Sequence, residues 1–174
     1  HAYTFPASFI LVAAQNPWPC GNYGQPTLEC VCHPSIVQRY KKKISGPLLD
    51  RIDLHINVPR LEYKEIMERP SNETKHEASA TVQHRVTTAR AIQTTRFQKP
   101  QTNSEMSTEQ LKQFCVIGSQ ASALLEQAAN KYLLSGRSIH RVLKVARTIA
   151  DLAGSENIEL SHLAESLQYR VQND

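Results

Sequence analysis

The chain has 174 residues, 40% of them hydrophobic, which is enough for one medium domain or two small ones with a buried core. Its 20 Lys and Arg against 16 Asp and Glu give a net charge of +4, which allows nucleic-acid or nucleotide partners without requiring them. No apolar run approaches the roughly 20 residues that span a bilayer, and His1 to Phe9 lacks the basic-then-apolar layout of a secretory leader, so a cytoplasmic protein with no membrane partner is expected.

Phe9 to Ala14 form a continuous apolar run ending at the turn-forming pair Asn16-Pro17, which predicts a strand buried on both faces, as in the parallel sheet of an α/β fold. Pro17 to Cys32 is punctuated by Pro and Gly without periodicity and reads as a long loop. A short helix is expected from Pro34 to about Ile44, then a tight corner from Ser45 to Arg51, then a half-buried strand over Asp53 to Val58, where polar and apolar residues alternate. The charged stretch around Glu62 to Lys75, with Pro70, Ser71 and Asn72 at its centre, reads as a linker.

Beyond it the pattern is helical. Val82, Val86, Ala89 and Ile92 recur at helical spacing, and Ser107 to Gln110 has the form of a capping box opening a helix to Phe114. Leu124, Leu125 and Ala128 mark one face of a helix over Ala121 to Leu133. The most regular pattern is Ile139, Val142, Leu143, Ala146, Ile149, Ala150 and Ala153, closed by Gly154 as a helix C-cap, and a last short helix begins at Ser161.

Three of the four cysteines, Cys20, Cys30 and Cys32, crowd into the long loop, which suits a metal site or free thiols better than a secreted disulfide framework. Cys115 falls in a helical pattern and is expected in the core. Asn16 lies just past the carboxyl end of the expected strand, where α/β sheets bind ligands, although Asn before Pro also simply starts turns. Arg51 stands between Asp50 and Asp53 and reads as a local ion pair. Arg137 is placed at the start of the most periodic helix, where the macrodipole disfavours a cation unless an anion is near. Arg141, Lys144 and Arg147, three apart, form a stripe that reads as a solvated face, with DNA or neighbour contact as the alternative.

Three segments, Leu11 to Pro17 with Cys20-Gly21 just after, Ser45 to Leu54, and Leu143 to Gly154, together resemble the bacterial competence-type (ComM/YifB) magnesium-chelatase-like AAA+ ATPases, and the likeness runs from Phe5 to Arg170. The resemblance implies an α/β fold class, the C-terminal part of an AAA+ P-loop ATPase core followed by an all-helical lid. Residues 1–61 would be the second half of the core, 62–77 a linker and 78–174 the lid. It also implies Asn16 as sensor-1, Arg51 as an arginine finger reaching the neighbour's ATP, and Arg137 as sensor-2 on the subunit's own ATP. The parent protein would use ATP and Mg2+ in a ring of identical subunits, by resemblance a hexamer, that moves branched DNA. None of the 6 glycines falls in the Gly-x-x-x-x-Gly-Lys-Ser/Thr spacing that cradles phosphates, so this chain alone is expected to be inactive. Zinc is a candidate structural ion on Cys20, Cys30, Cys32 and the adjacent His33, with Trp18 standing where family members often have a Cys. The alternatives are a chelatase motor subunit driving metal insertion into a porphyrin, and a non-catalytic zinc or helical DNA-binding module.

Overall fold

A computed structural model describes residues 3–5, 7, 9–16, 19–22, 29–58 and 77–170. They fall into two compact units, residues 1–49 and residues 50–174, each considered by itself.

In the first unit, α1 (Pro34–Lys41) begins with proline, whose missing N–H costs nothing in a first turn, and is capped by His33, whose Nδ1 accepts from the Ser35 backbone N–H. The expected corner is a single turn, α2 (Gly46–Leu49), opened by Ser45. The run Phe9 to Ala14 departs from expectation. It forms no strand, and Ile10 and Val12 are each 88% exposed. A strand buried on both faces needs flanking strands to take up its N–H and C=O groups, and among the described residues no strand forms, so the α/β layer expected from this run is not built here. Asp53 to Val58 fares likewise: Ile56 and Val58 are exposed, and the segment is tied down by one backbone bond, His55 N–H to the Tyr169 carbonyl at 2.8 Å.

The second unit is a helical bundle of α3 (Ser79–Phe97), a 3-10 turn (Asn103–Glu105), α4 (Thr108–Phe114), α5 (Ser119–Lys131), α6 (Gly136–Leu152) and α7 (Leu160–Gln168). The ends of these helices follow local chemistry. Ser107 and Gln110 form the expected reciprocal capping box at α4, and Thr102 with Glu105 form a second at the 3-10 turn. Gly154, at φ +69°, closes α6: its N–H reaches the Asp151 carbonyl while Ser155 N–H reaches the Ala150 carbonyl, which is a Schellman stop. The linker expected at 62–77 lies, except for Glu77, outside the described residues.

Helix α6 is the axis of the bundle, packing against α3, α4, the 3-10 turn and α7, while α5 packs against α7. Its buried stripe of Val142, Leu143, Ala146 and Ala150 meets Phe97, Leu111, Leu125 and Leu163, and the two alanines let neighbouring helices come close. On α3 the buried face is Ala89, Gln93 and Phe97, four residues apart, while Val82 and Val86, which continue the same helical spacing towards the N-terminus, are exposed. Cys115 is buried as expected, and burial pushes its thiol up to about 11.

One buried carboxylate organises this core. Asp151 accepts from both guanidinium arms of Arg96, from Arg147 Nε at 3.0 Å, from Asn103 Nδ2 at 2.7 Å and from Gln93 Nε2 at 3.4 Å. Arg147 spends its remaining donors on the carbonyls of Ser155 and Glu156. Burial opposes the charge on Asp151, but the bonds from Arg96 and Asn103 and the nearby guanidiniums outweigh it and hold the carboxyl below its ordinary value. The network joins α3, the 3-10 turn, α6 and the turn after α6 with its strongest acceptor fully bonded.

Removing Asp151 would strand two guanidiniums in the core, so Asp151→Ala should cost about 3–5 kcal/mol in urea unfolding. Because the folded carboxyl is held low, its stabilisation is complete above the ordinary carboxylate range and disappears as pH falls through the lowered value. The wild-type urea midpoint should therefore drop in acid more than that of Asp151→Ala. Equal drops would show that the carboxylate is not the titrating support.

Candidate functional site

Residues 50–53 are fastened to the bundle by groups distant in sequence. Ser138, in the first turn of α6, donates to the Asp50 carboxylate, and Arg170 adds a bond to Asp50 at 3.1 Å and another to the Ile52 carbonyl at 3.2 Å. Arg141, one turn further along α6, donates to both the Arg51 carbonyl and the Asp53 carboxylate. Asp50 is held below its ordinary value by the Ser138 bond first and by Arg170 next. Both acids flanking Arg51 are thus engaged by Ser138, Arg141 and Arg170, while Arg51 itself is exposed and its backbone is fixed.

Arg137 is the second residue of α6, exposed, on a helix whose first turn is capped by Ser135 Oγ accepting from Ser138 N–H at 3.1 Å. It lines a cavity of about 760 Å³ together with the apolar Leu54, Ile56, Val145 and Ile149 and with His140 and Lys144. At a helix start the macrodipole and a guanidinium act in the same sense, so an anion there would be favoured by both.

The stripe of Arg141, Lys144 and Arg147 is not a solvated face. Arg141 clamps residues 51–53, Lys144 donates to the carbonyls of Ser104 and Met106 at 2.8 Å each, and Arg147 is buried on Asp151. Burial lowers the Lys144 ammonium from its ordinary value, as it does the Arg147 guanidinium.

In the first unit, Asn16 is exposed, and its backbone carbonyl accepts from the Tyr40 hydroxyl of α1 at 2.9 Å. The Sγ atoms of Cys20, Cys30 and Cys32 lie within 4.8 Å of one another. The Asn22 backbone N–H donates to Cys20 Sγ and lowers that thiol, while the Cys32 thiol, held by its bond with Cys20, is pushed up to about 11. His33, the expected fourth ligand, stands outside this group. Its Nδ1 is taken by Ser35, to whose Oγ it lies at 2.8 Å, because it serves as the cap of α1. Trp18 lies outside the described residues.

Sequence reasoning missed Ser138, Arg170 and the clamping role of Arg141. The clamp joins residues 88 to 120 positions apart, and no local pattern reports such a pairing.

Among the described residues no helix is long and apolar enough to cross a membrane. The profile of the magnesium chelatase subunit ChlI matches residues 1–66, and that of the ChlI C-terminal part matches residues 76–170. The chain is 41% identical over 167 residues to the competence protein ComM of Haemophilus influenzae, covering 96% of this chain and 31% of that protein. It is 40% identical over 168 residues to the uncharacterized protein YifB of Escherichia coli, covering 97% and 32%, and 35% identical over 168 residues to the uncharacterized protein Rv2897c of Mycobacterium tuberculosis, covering 95% and 32%. The chain thus spans about a third of the length of these relatives.

If Arg141 holds residues 51–53, Arg141→Ala should speed amide hydrogen exchange across residues 51–55 by roughly tenfold, the loss of a charge-assisted bond, while leaving α3 unchanged. Unaltered exchange at 51–55 would mean the clamp contributes nothing to local order.

Proposed function

The chain belongs to the magnesium chelatase ChlI family, and from that premise we propose that it is the trans-acting and lid portion of an ATP-driven ring motor that works on DNA. The observation that carries this reading is the clamp: an exposed arginine, Arg51, whose backbone and flanking carboxylates are fixed to the helix that bears Arg137.

An arginine finger must arrive at a neighbour's phosphates in one orientation, and a fixed backbone lowers the entropy lost on engagement. In this reading Arg51 stabilises charge on the γ-phosphoryl group bound by the adjacent subunit, for which a planar, permanently charged guanidinium is suited. Arg137 meets the γ-phosphate of its own subunit's ATP at the start of α6. Asn16 orients the attacking water through its amide. The phosphate loop and the groups that hold Mg2+ are assigned to the part of the protein beyond this chain, since no glycine here has the required spacing. The sheet expected around Phe9 to Ala14 would be completed by that same part, giving the α/β core.

DNA as the substrate is supported by the name of the Haemophilus relative, a competence protein, and is consistent with the net charge of +4. The stripe on α6 is not the contact surface, because its cations already hold carbonyls and carboxylates. Identical subunits in a hexameric ring, as the resemblance implies, would bring each Arg51 to a neighbour.

In the full-length protein, ATP turnover should rise with branched DNA, and Arg51→Ala should lower it by about a thousandfold or more with ATP binding retained. Arg137→Ala should lower turnover as well. Turnover indifferent to Arg51 would refute the finger, and turnover indifferent to DNA would shift the reading to a metal-insertion motor.

A further inference from the structure

We propose that Cys20, Cys30 and Cys32 bind one zinc ion as three thiolate ligands, with no fourth His, Cys, Asp or Glu ligand among the described residues. Tetrahedral coordination with zinc–sulfur bonds of about 2.3 Å places ligand sulfurs about 3.8 Å apart. Cys20 Sγ and Cys30 Sγ are 3.6 Å apart, and all three sulfurs lie within 4.8 Å of one another. A separation of 3.6 Å is far longer than the roughly 2 Å of a disulfide, and all three cysteines are free and partly buried.

The backbone is arranged for an anionic sulfur. Gly21 adopts φ +74°, a left-handed conformation that side chains other than glycine rarely take, and this turn brings the Asn22 N–H onto Cys20 Sγ at 3.4 Å. An N–H aimed at sulfur favours the thiolate, and three thiolates this close repel one another unless a cation sits between them. Three sulfur donors select a soft or borderline ion such as zinc over magnesium or calcium. His33 does not complete the set, since neither of its ring nitrogens falls within the group of three sulfurs, and its Nδ1 serves the α1 cap.

Such an ion would have a positional effect. Cys20 follows Asn16 by four residues and Cys32 precedes α1 by two, so the ion would tie the Asn16 turn to the helix whose Tyr40 hydroxyl already holds the Asn16 carbonyl. Metal binding itself does not rest on the ring-motor reading, and its test uses no turnover measurement.

Full-length protein grown with zinc and then desalted should be assayed for metal by plasma emission, beside Cys20→Ser, Cys32→Ser, His33→Ala and a Cys115→Ser control. Wild type, His33→Ala and Cys115→Ser should retain the same zinc, and each of the two loop variants should lose about one equivalent per chain. Cobalt loaded into the wild type should give sulfur-to-cobalt charge-transfer absorption, and X-ray absorption of the zinc form should show three sulfur neighbours near about 2.3 Å; these need no variant to fold. No zinc in the wild type and no charge-transfer band with cobalt would overturn the site. Zinc undiminished in Cys20→Ser and Cys32→Ser would place the ion elsewhere, and loss with His33→Ala would overturn a site built without His33.

Discussion

Helix α6 can serve as an axis because Asp151, a negative charge near its C-terminal end, sits in the core with Gln93, Arg96, Asn103 and Arg147 donating to it. A carboxylate in that position costs several kcal/mol in desolvation unless it is paired and hydrogen-bonded. Arg96 from α3, Arg147 one turn back on α6, and Asn103 from the 3-10 turn supply that pairing. The same bonds that make the charge tolerable fix α6 relative to α3 and the 3-10 turn. Everything positioned from α6, including Ser138, Arg141 and Arg137 near its start, depends on that fixation.

With α6 fixed, its basic residues separate by role according to what each one touches. Arg147 neutralises the core carboxylate, Lys144 ties the 3-10 turn, and Arg141 grips the residues around Arg51. Those side chains hold the fold together. Arg137, in the exposed first turn beside an apolar cavity, faces the position where a helix start favours an anion. The proposed division of labour between Arg51 and Arg137 follows from this separation: both arginines are anchored through one helix, so a shift of α6 on its own nucleotide would be carried directly into the corner bearing Arg51.

Much of the bundle was legible in the sequence. The apolar period of α6 and its Gly154 stop, and the Ser107–Gln110 box, are local rules that act over a few residues, and the structure follows them. Arg147 and Asp151 were harder to read, since an Arg–Asp pair four apart looks like an exposed helix pair. The available signal was position: Arg147 lies four residues after Leu143, at the edge of the buried arc, where a charge must find a buried partner. Val82 and Val86 carry the helical period yet are exposed, so the pattern reports the helix and not how far its face is buried. The Phe9 to Ala14 run illustrates the converse limit. Its composition reports a buried strand, yet burial requires partners, and among the described residues none pairs with it.

At the candidate site, Arg51 is singled out by the family resemblance and Arg137 by that and its place at a helix start, whereas the clamp that relates them is built from contacts between residues 88 to 120 positions apart. In the proposed mechanism Arg51 acts on a neighbour's ATP while Arg137 acts on its own. Mixing two inactive full-length proteins, one Arg51→Ala and the other Arg137→Ala, tests this directly. A ring containing both would include interfaces where an intact Arg51 faces a site with an intact Arg137, so the account predicts ATP turnover that reappears on mixing and peaks at intermediate ratios. Turnover that stays absent at every ratio, in mixtures shown to share rings, would contradict it.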